Sequence, residues 1–232
     1  MGFEFKQFTI SHQEDVFKFG TDASILATWK NISNSSNILE IGCGTGVITL
    51  MMAQRHPTAS FTGIDISESA VKLSNTNLNN FPIQTQIEFI ASSVQDFSPQ
   101  KKYNLIISNP PFFEDSTKSP SNLKNTTRHT DTLSLHDLLI HSKRLLTNQG
   151  EIQIIYPVRY LENLKQICAD LELHINQLTF TRSTPTKPIK RILVSISPLK
   201  KELIERELII NGSNKGFSET VFKMLQPYLL KL

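Results

Sequence analysis

An apolar run, Ile38 to Ile41, passes with no polar spacer into Gly42-Cys43-Gly44-Thr45-Gly46, and Val47 to Gln54 then carries apolar side chains at three-and-four spacing. A short buried strand, a turn with three glycines and a helix follow one another directly. Glycine is the residue that takes positive φ readily and leaves room for a ligand near the backbone. The turn alone admits two readings, a tight strand-to-helix connection or a nucleotide-binding loop. No Lys follows the glycines, which excludes a phosphate-cradling P-loop, and the spacing is not the G-x-G-x-x-G of dinucleotide sites.

The same alternation continues along the chain. Ser60 to Ile64, Ile87 to Ala91, Leu105 to Ile107 and Ile152 to Tyr156 are short and apolar enough to be covered on both faces, so with Ile38 to Ile41 they read as five parallel strands. Glu68 to Leu78 and Leu135 to Leu146 have helical spacing and read as crossovers; Val158 to Leu171 is a further helical pattern. Leu173 to Thr181 and Arg191 to Ile196 are strand-like, joined by the basic loop STPTKPIK, and predict an antiparallel hairpin that closes the sheet. Ser218 to Leu229 predicts a final helix. Residues 1–33 differ in character: Ile25, Leu26, Trp29 and Ile32 mark one face of a short helix behind Gly20, with Thr21 or Asp22 as its N-cap. We expect this segment to be a flap over the mouth of the sheet, with plain edge-covering structure as the alternative, and residues 34–232 to form the α/β domain.

Composition narrows the partners. No apolar stretch approaches bilayer-spanning length, MGFEFKQFTI lacks the apolar core of a signal peptide, and the two cysteines, Cys43 and Cys168, are too far apart in patterned segments to suggest a disulfide framework or a zinc site. A cytoplasmic protein without membrane, metal or obligate protein partner is the expectation. The net charge is only +3, yet residues 180–206 hold seven cations, Arg182, Lys187, Lys190, Arg191, Lys200, Lys201 and Arg206, against Glu202 and Glu205. That stretch reads either as a solvated hairpin surface or as a rim for nucleic-acid phosphates.

Asp65 ends the second strand of the domain, nineteen residues after Gly46. A carboxylate there can accept both ribose hydroxyls of a nucleoside cofactor; the competing role is to cap a helix at Ser67. At the end of the fourth strand stands Ser108-Asn109-Pro110-Pro111-Phe112. This stretch resembles the (N/D/S)-P-P-(Y/F/W) motif of amino-group methyltransferases, which implies an exocyclic amine as acceptor; on a purine such an amine is a poor nucleophile because its lone pair is delocalised into the ring. Two acceptors that hold its hydrogens let the nitrogen pyramidalise, and the Asn109 side-chain oxygen with the Pro110 carbonyl can supply them. Prolines fix φ and remove competing donors, and Phe112 can stack on the base. The sequence implies no general base, so catalysis would be positioning and electrostatic preorganisation.

Glu40-x-Gly42-x-Gly44-x-Gly46, with an acid after the next strand, resembles the class I S-adenosylmethionine methyltransferases, which implies a Rossmann-like, seven-stranded, mostly parallel sheet with an antiparallel C-terminal hairpin and helices on both faces. Within that class, Asn109 to Phe112 resembles the amino-group enzymes. The flanks choose among them: Phe5 to Phe8, Lys18 to Asp22, Asn109 to Phe113 and Arg128 to Thr130 resemble the bacterial tRNA(Val) adenine-37 N6-methyltransferases over nearly the whole chain. The departures are Phe112 for the commoner Tyr, Ser93 for an acid, and Ser24 where a second Gly is often found.

What the resemblance implies is a set of roles. Glu40, Gly42, Gly44, Thr45, Gly46, Asp65, Ile66, Ser93, Val94 and Asn109 would hold S-adenosylmethionine, released as S-adenosylhomocysteine, with Ser93 or Asp96 at its adenine. Asn109, Pro110, Pro111 and Phe112 would be catalytic. Phe112, Phe113, Lys18, Arg128, His129, Lys187, Lys190 and Arg191 would meet a tRNA, with Lys118 and Lys124 as further rim cations. Alternative acceptors are an rRNA adenine N6, a guanine N2, or a release-factor glutamine. A noncatalytic RNA-binding scaffold with a cofactor fold is the alternative of another class.

Overall fold

Parallel strands bury both faces, so their side chains must alternate between two helical layers. Ile38, Leu105, Ile107, Ile155 and Leu193 pack into one core, and Leu39, Ile41, Ile106, Ile152, Ile154 and Val194 into the other. The computed structural model describes residues 2–13, 16, 19–32, 36–110, 133–212 and 216–230. In chain order the elements are β1 (Gly2–Glu4), β2 (Thr9–Ser11), α1 (Thr21–Thr28), β3 (Asn37–Ile41), α2 (Val47–Arg55), β4 (Ser60–Asp65), α3 (Glu68–Asn79), β5 (Gln86–Ala91) and β6 (Tyr103–Ser108). There follow α4 (Leu135–Leu145), β7 (Leu146–Pro157), a 3-10 turn (Val158–Tyr160), α5 (Leu161–Asp170), β8 (His174–Arg182), β9 (Arg191–Ser197), β10 (Ile204–Ile209) and α6 (Glu219–Leu225).

The main sheet has the order β10-β8-β9-β7-β6-β3-β4-β5, with β9 antiparallel to both its neighbours and the other pairs parallel. The expected hairpin is β8 and β9. The sheet contains one strand more than expected, because β10 adds to β8 at the edge. Ile204-Glu205-Arg206-Glu207 is exposed throughout, so no apolar pattern announces it, and backbone pairing with the Arg182–Glu207 ion pair holds the strand. Serines start three of the helices: Ser67, Ser134 and Ser218 accept from the N–H groups of Ala70, Asp137 and Val221.

The N-terminal residues are bound into this frame. Phe5 stacks on Phe8 at 4.6 Å and on Phe19 at 5.8 Å, Phe8 meets Phe81 edge-on, and Lys6 donates to the Gln226 carbonyl beyond α6. Phe5-Lys6-Gln7-Phe8 is thus a packing motif that ties the chain start to its end. α1 is buried along Ala23–Thr28 beside α2 and α6. Its N-cap is Gly20, with no side-chain hydrogen bond, rather than Thr21 or Asp22. Asp22 in the first turn instead pairs with Arg191 at 3.1 Å.

At the far end of α1, Lys30 reaches both carboxylate oxygens of Glu151 at 2.8 and 2.9 Å, and Ser195 donates to the same carboxylate. Burial pushes the Glu151 carboxyl up, but the bonds from Lys30, Gln153 and Ser195 outweigh it and leave the group below its ordinary value of 4.5. A depressed folded value means that the stabilisation is present above the ordinary value and is lost as pH falls through the depressed one. Lys30→Met should therefore destabilise the protein by about 1–3 kcal/mol at neutral pH, by stranding a buried carboxylate. The deficit should shrink once Glu151 protonates; thermal unfolding at about pH 7 and about pH 4 measures both.

Candidate active site

Strand order reverses between β3 and β6: from β3 the chain proceeds outward through β4 and β5, then returns to place β6 on the other side. The carboxyl ends of β3 and β6 therefore diverge and leave a crevice, the usual ligand position in an open α/β sheet. Ser108, fully buried at the end of β6, closes the crevice floor by donating its hydroxyl to the Ile41 carbonyl at 2.8 Å. The glycine turn and Asn109-Pro110 thus start from one hydrogen-bonded point.

Gly42, Gly44 and Gly46 have φ of 74°, 52° and 78°, the left-handed values that side chains with Cβ rarely take. At Gly46 packing adds a second requirement, since a Cβ would lie 2.8 Å from the Phe89 ring. At Gly42 and Gly44 a Cβ would meet nothing within 4 Å, so the space beside the turn is open to a ligand. Asp65 at the end of β4 accepts from the Gly44 N–H and the Ser67 N–H, each at 2.9 Å, one on each carboxylate oxygen. The N-cap of α3 is Ser67 itself, so Asp65 braces the turn and keeps a free lone pair on each oxygen. Ile66 beside it is 62% exposed, a large apolar side chain held at the mouth next to a carboxylate.

Glu40 behaves differently. It is 1% exposed, and its Oε2 accepts from both the Thr49 N–H at 3.0 Å and the Thr49 hydroxyl at 2.6 Å. Gly46 has no side chain with which to cap α2, and Glu40 satisfies that orphan N–H from the strand below. Burial pushes its carboxyl from 4.5 to about 8 against these bonds. After β5, Ser93 donates to Asp96 at 2.6 Å and accepts from the Asp96 N–H, so the two candidate adenine contacts hold each other; Val94 is buried beside them.

One side chain that links these parts escapes the sequence reading. Asn77, fully buried on α3, donates to the Thr45 carbonyl and accepts from the Ser11 N–H, joining the glycine turn to β2. The signal was an Asn on the same buried helix face as Ala70, Leu73 and Ser74. The structure thus gathers Glu40, Gly42, Gly44, Thr45, Gly46, Asp65, Ile66, Ser93, Val94, Asn109 and Pro110 at one edge of the sheet. Lys187 and Lys190 are exposed in the β8–β9 loop at that edge, whereas Arg191 is committed to Asp22. Lys200 and Lys201 follow the other end of β9, which divides the basic stretch between opposite edges. Pro111, Phe112, Phe113, Lys18, Lys118, Lys124, Arg128 and His129 lie outside the described residues.

A mostly parallel sheet in this order, closed by an antiparallel strand and carrying a glycine turn and an acid at the switch point, is the architecture of a class I S-adenosylmethionine-dependent methyltransferase. Solved structures share it. The chain aligns with one described as a predicted O-methyltransferase from Agrobacterium tumefaciens at TM-score 0.70 and 17% identity, covering 89% of this chain and 96% of that one. It aligns with another from Listeria monocytogenes, assigned to class I, at TM-score 0.60 and 10% identity, covering 84% and 68%. Residues 8–181 match the methyltransferase small domain family. Curated relatives named tRNA1(Val) (adenine(37)-N6)-methyltransferase are 36% identical in Parabacteroides distasonis and 33% in Bacteroides fragilis, each over 99% of this chain and 98% of theirs. The chain belongs to the methyltransferase small domain family and, within it, to the bacterial tRNA1(Val) (adenine(37)-N6)-methyltransferases.

The raised Glu40 value carries a pH signature. A carboxyl that ionises at about 8 when folded and at 4.5 when unfolded favours the folded state fully below 4.5, and that contribution is lost as pH rises to about 8. Glu40→Gln keeps the acceptor for Thr49 and has no proton to lose. Across this window the wild type should lose stability relative to the variant, by a few kcal/mol at most, read as the difference in Tm at about pH 5 and about pH 8.5. Parallel Tm profiles would mean that Glu40 remains ionised.

Proposed function

We propose that this protein methylates the exocyclic N6 of an adenine in tRNA, adenine 37 in the anticodon loop of tRNA(Val), using S-adenosylmethionine. The observation that carries this reading is Asn109-Pro110 at the end of β6, where the preceding Ser108 is hydrogen-bonded to Ile41 at the end of β3, just before the glycine turn, in a chain whose near full-length relatives bear that name. The residues fit the cofactor: the open cradle at Gly42 and Gly44 accommodates close approach, Asp65 has lone pairs for two ribose hydroxyls, and Ile66 offers an apolar face to a flat ring. When bound, S-adenosylmethionine supplies an electrophilic methyl group on a sulfonium sulfur and leaves as S-adenosylhomocysteine.

Asn109 and the Pro110 carbonyl accept the two amine hydrogens and turn the nitrogen lone pair out of conjugation, toward the methyl carbon. With the cofactor bound, the amine would take the methyl as sulfur takes the C–S pair, and the methylated amine, then acidic, would give a proton to water. No side-chain base is needed, and the contribution of the protein is geometry and hydrogen bonding. Lys187 and Lys190 hold tRNA phosphates at the same edge, and the N-terminal residues cover the mouth through the links Ser11–Asn77–Thr45 and Asp22–Arg191. Two buried free cysteines suit the reducing cytoplasm where tRNA resides.

Paired variants separate the roles. Asp65→Ala should weaken S-adenosylmethionine binding by about 1.5–3 kcal/mol in calorimetry. Asn109→Ala should abolish turnover and weaken that affinity far less than Asp65→Ala does. Methyl transfer to tRNA with mass spectrometry of the nucleosides reads the activity, and cofactor binding with no transfer to any tRNA would instead support a scaffold.

The rim has its own test. Lys187→Gln with Lys190→Gln should weaken tRNA binding and lower the slope of log affinity against log salt by about one per lost contact. Arg191 is left in place because its removal would strand Asp22. Unchanged slopes in filter binding would make these lysines plain solvated surface.

A further inference from the structure

β7 outruns β6. Their last register pair is Ser108 with Ile154, so continuing the register puts Tyr156 at the level of Pro110, with Pro157 one residue beyond. The 3-10 turn Val158–Tyr160 follows at once, and its Val158 N–H donates to the Lys190 carbonyl at 3.1 Å, which pins it to the basic β8–β9 loop. The rings of Tyr156, near the end of β7, and Tyr160, on the turn, lie 5.7 Å apart at 49°, and the Arg159 guanidinium lies 4.8 Å from the centre of the Tyr160 ring. Both tyrosines are half-buried and Arg159 is exposed.

This arrangement has no evident use in the core. Arg182 and Arg191 spend their charge on Glu207 and Asp22, whereas among the described residues Arg159 is in no ion pair. A guanidinium held over an aromatic ring is already restrained, so less side-chain freedom remains to be lost when a flat group stacks beside it. Unstacked RNA bases are recognised by aromatic rings and guanidinium planes, with phosphates on nearby cations. Asn109 divides the mouth in two: Gly42 to Gly46, Asp65, Ile66 and Ser93 lie toward β3, β4 and β5, and Tyr156, Arg159, Tyr160, Lys187 and Lys190 lie toward β7, β8 and β9.

We propose that Arg159 and Tyr160, backed by Tyr156, form a stacking platform for an unpaired base next to the methylated adenine in the RNA loop, with Lys187 and Lys190 on the adjoining phosphates. The identity of the methylated group rests on the reading given above; the platform concerns the neighbouring nucleotide. The competing account is a local cation–π contact that merely stiffens the turn, and it predicts no effect on RNA.

The probe is an anticodon stem-loop RNA with 2-aminopurine in place of the base beside the target adenine, titrated with wild type, Arg159→Ala, Arg159→Lys, Tyr160→Leu and Tyr160→Phe. Wild type and Tyr160→Phe should quench its fluorescence. Arg159→Ala and Tyr160→Leu should lose the quenching and raise KM for RNA on the order of tenfold, with unchanged cofactor Kd and kcat. Arg159→Lys should keep the salt slope of wild type and lose quenching, which separates stacking from charge. Arg159 is exposed, so its variants report even where Tyr160→Leu unfolds. Wild-type quenching and KM in Arg159→Ala would overturn the platform while leaving methylation standing. Quenching that depends on Arg159, in a protein that methylates no tRNA, would do the reverse.

Discussion

The hydrogen bond from Ser108 to the Ile41 carbonyl fixes the place where everything else meets. It joins the ends of the two strands between which the sheet changes direction, so the glycine turn leaving β3 and the Asn-Pro segment leaving β6 diverge from a common origin. A parallel sheet covered on both faces has its open ends as the natural places for a ligand, and the carboxyl end of this one carries the glycine turn, Asp65 and Asn109-Pro110. The donor and acceptor of a transferred group must lie within bonding distance. Diverging from one hydrogen-bonded point is how two strands distant in sequence achieve that.

Three carboxylates show how position decides what an acid does. Glu40 and Asp65 flank the same turn, yet Glu40 is sealed beneath α2, caps its first turn and is driven toward neutrality, whereas Asp65 stands at the mouth bracing Gly44. Glu151 is also largely buried, but Lys30 supplies the opposite charge and holds it ionised. Desolvation acts on all buried acids, and the outcome depends on whether a full positive charge or only neutral donors answer it. Of these only Asp65 is placed to meet a ligand directly.

The mouth is organised by charge and ring as well. The basic stretch of the sequence looks like one patch, but antiparallel β9 carries its two halves to opposite edges of the sheet, leaving Lys187 and Lys190 at the edge where β6 ends. Arg191 is withdrawn into the contact with α1, and Arg159, contributed by a different segment, stands exposed on the turn that is hydrogen-bonded to Lys190.

The sequence by itself determined the alternation of strands and helices, the hairpin, the glycine turn, Asp65 and Asn109-Pro110, because each rests on local rules: period-two and period-three-and-four apolar spacing, capping serines, and turn chemistry between adjacent residues. It missed β10, whose Ile-Glu-Arg-Glu stretch buries almost nothing and is held by backbone pairing with a strand more than twenty residues away. It misplaced the cap of α1, because Asp22 answers to Arg191, a partner that only folding brings near. Asn77 bridging Ser11 and Thr45, Ser108 reaching Ile41, and Arg159 lying over Tyr160 beside Lys190 belong to the tertiary structure in the same way. A polar side chain carries no mark of its partner in the local pattern, since the hydrogen bond that gives it a role is made to a residue whose position is set by the packing of the sheet.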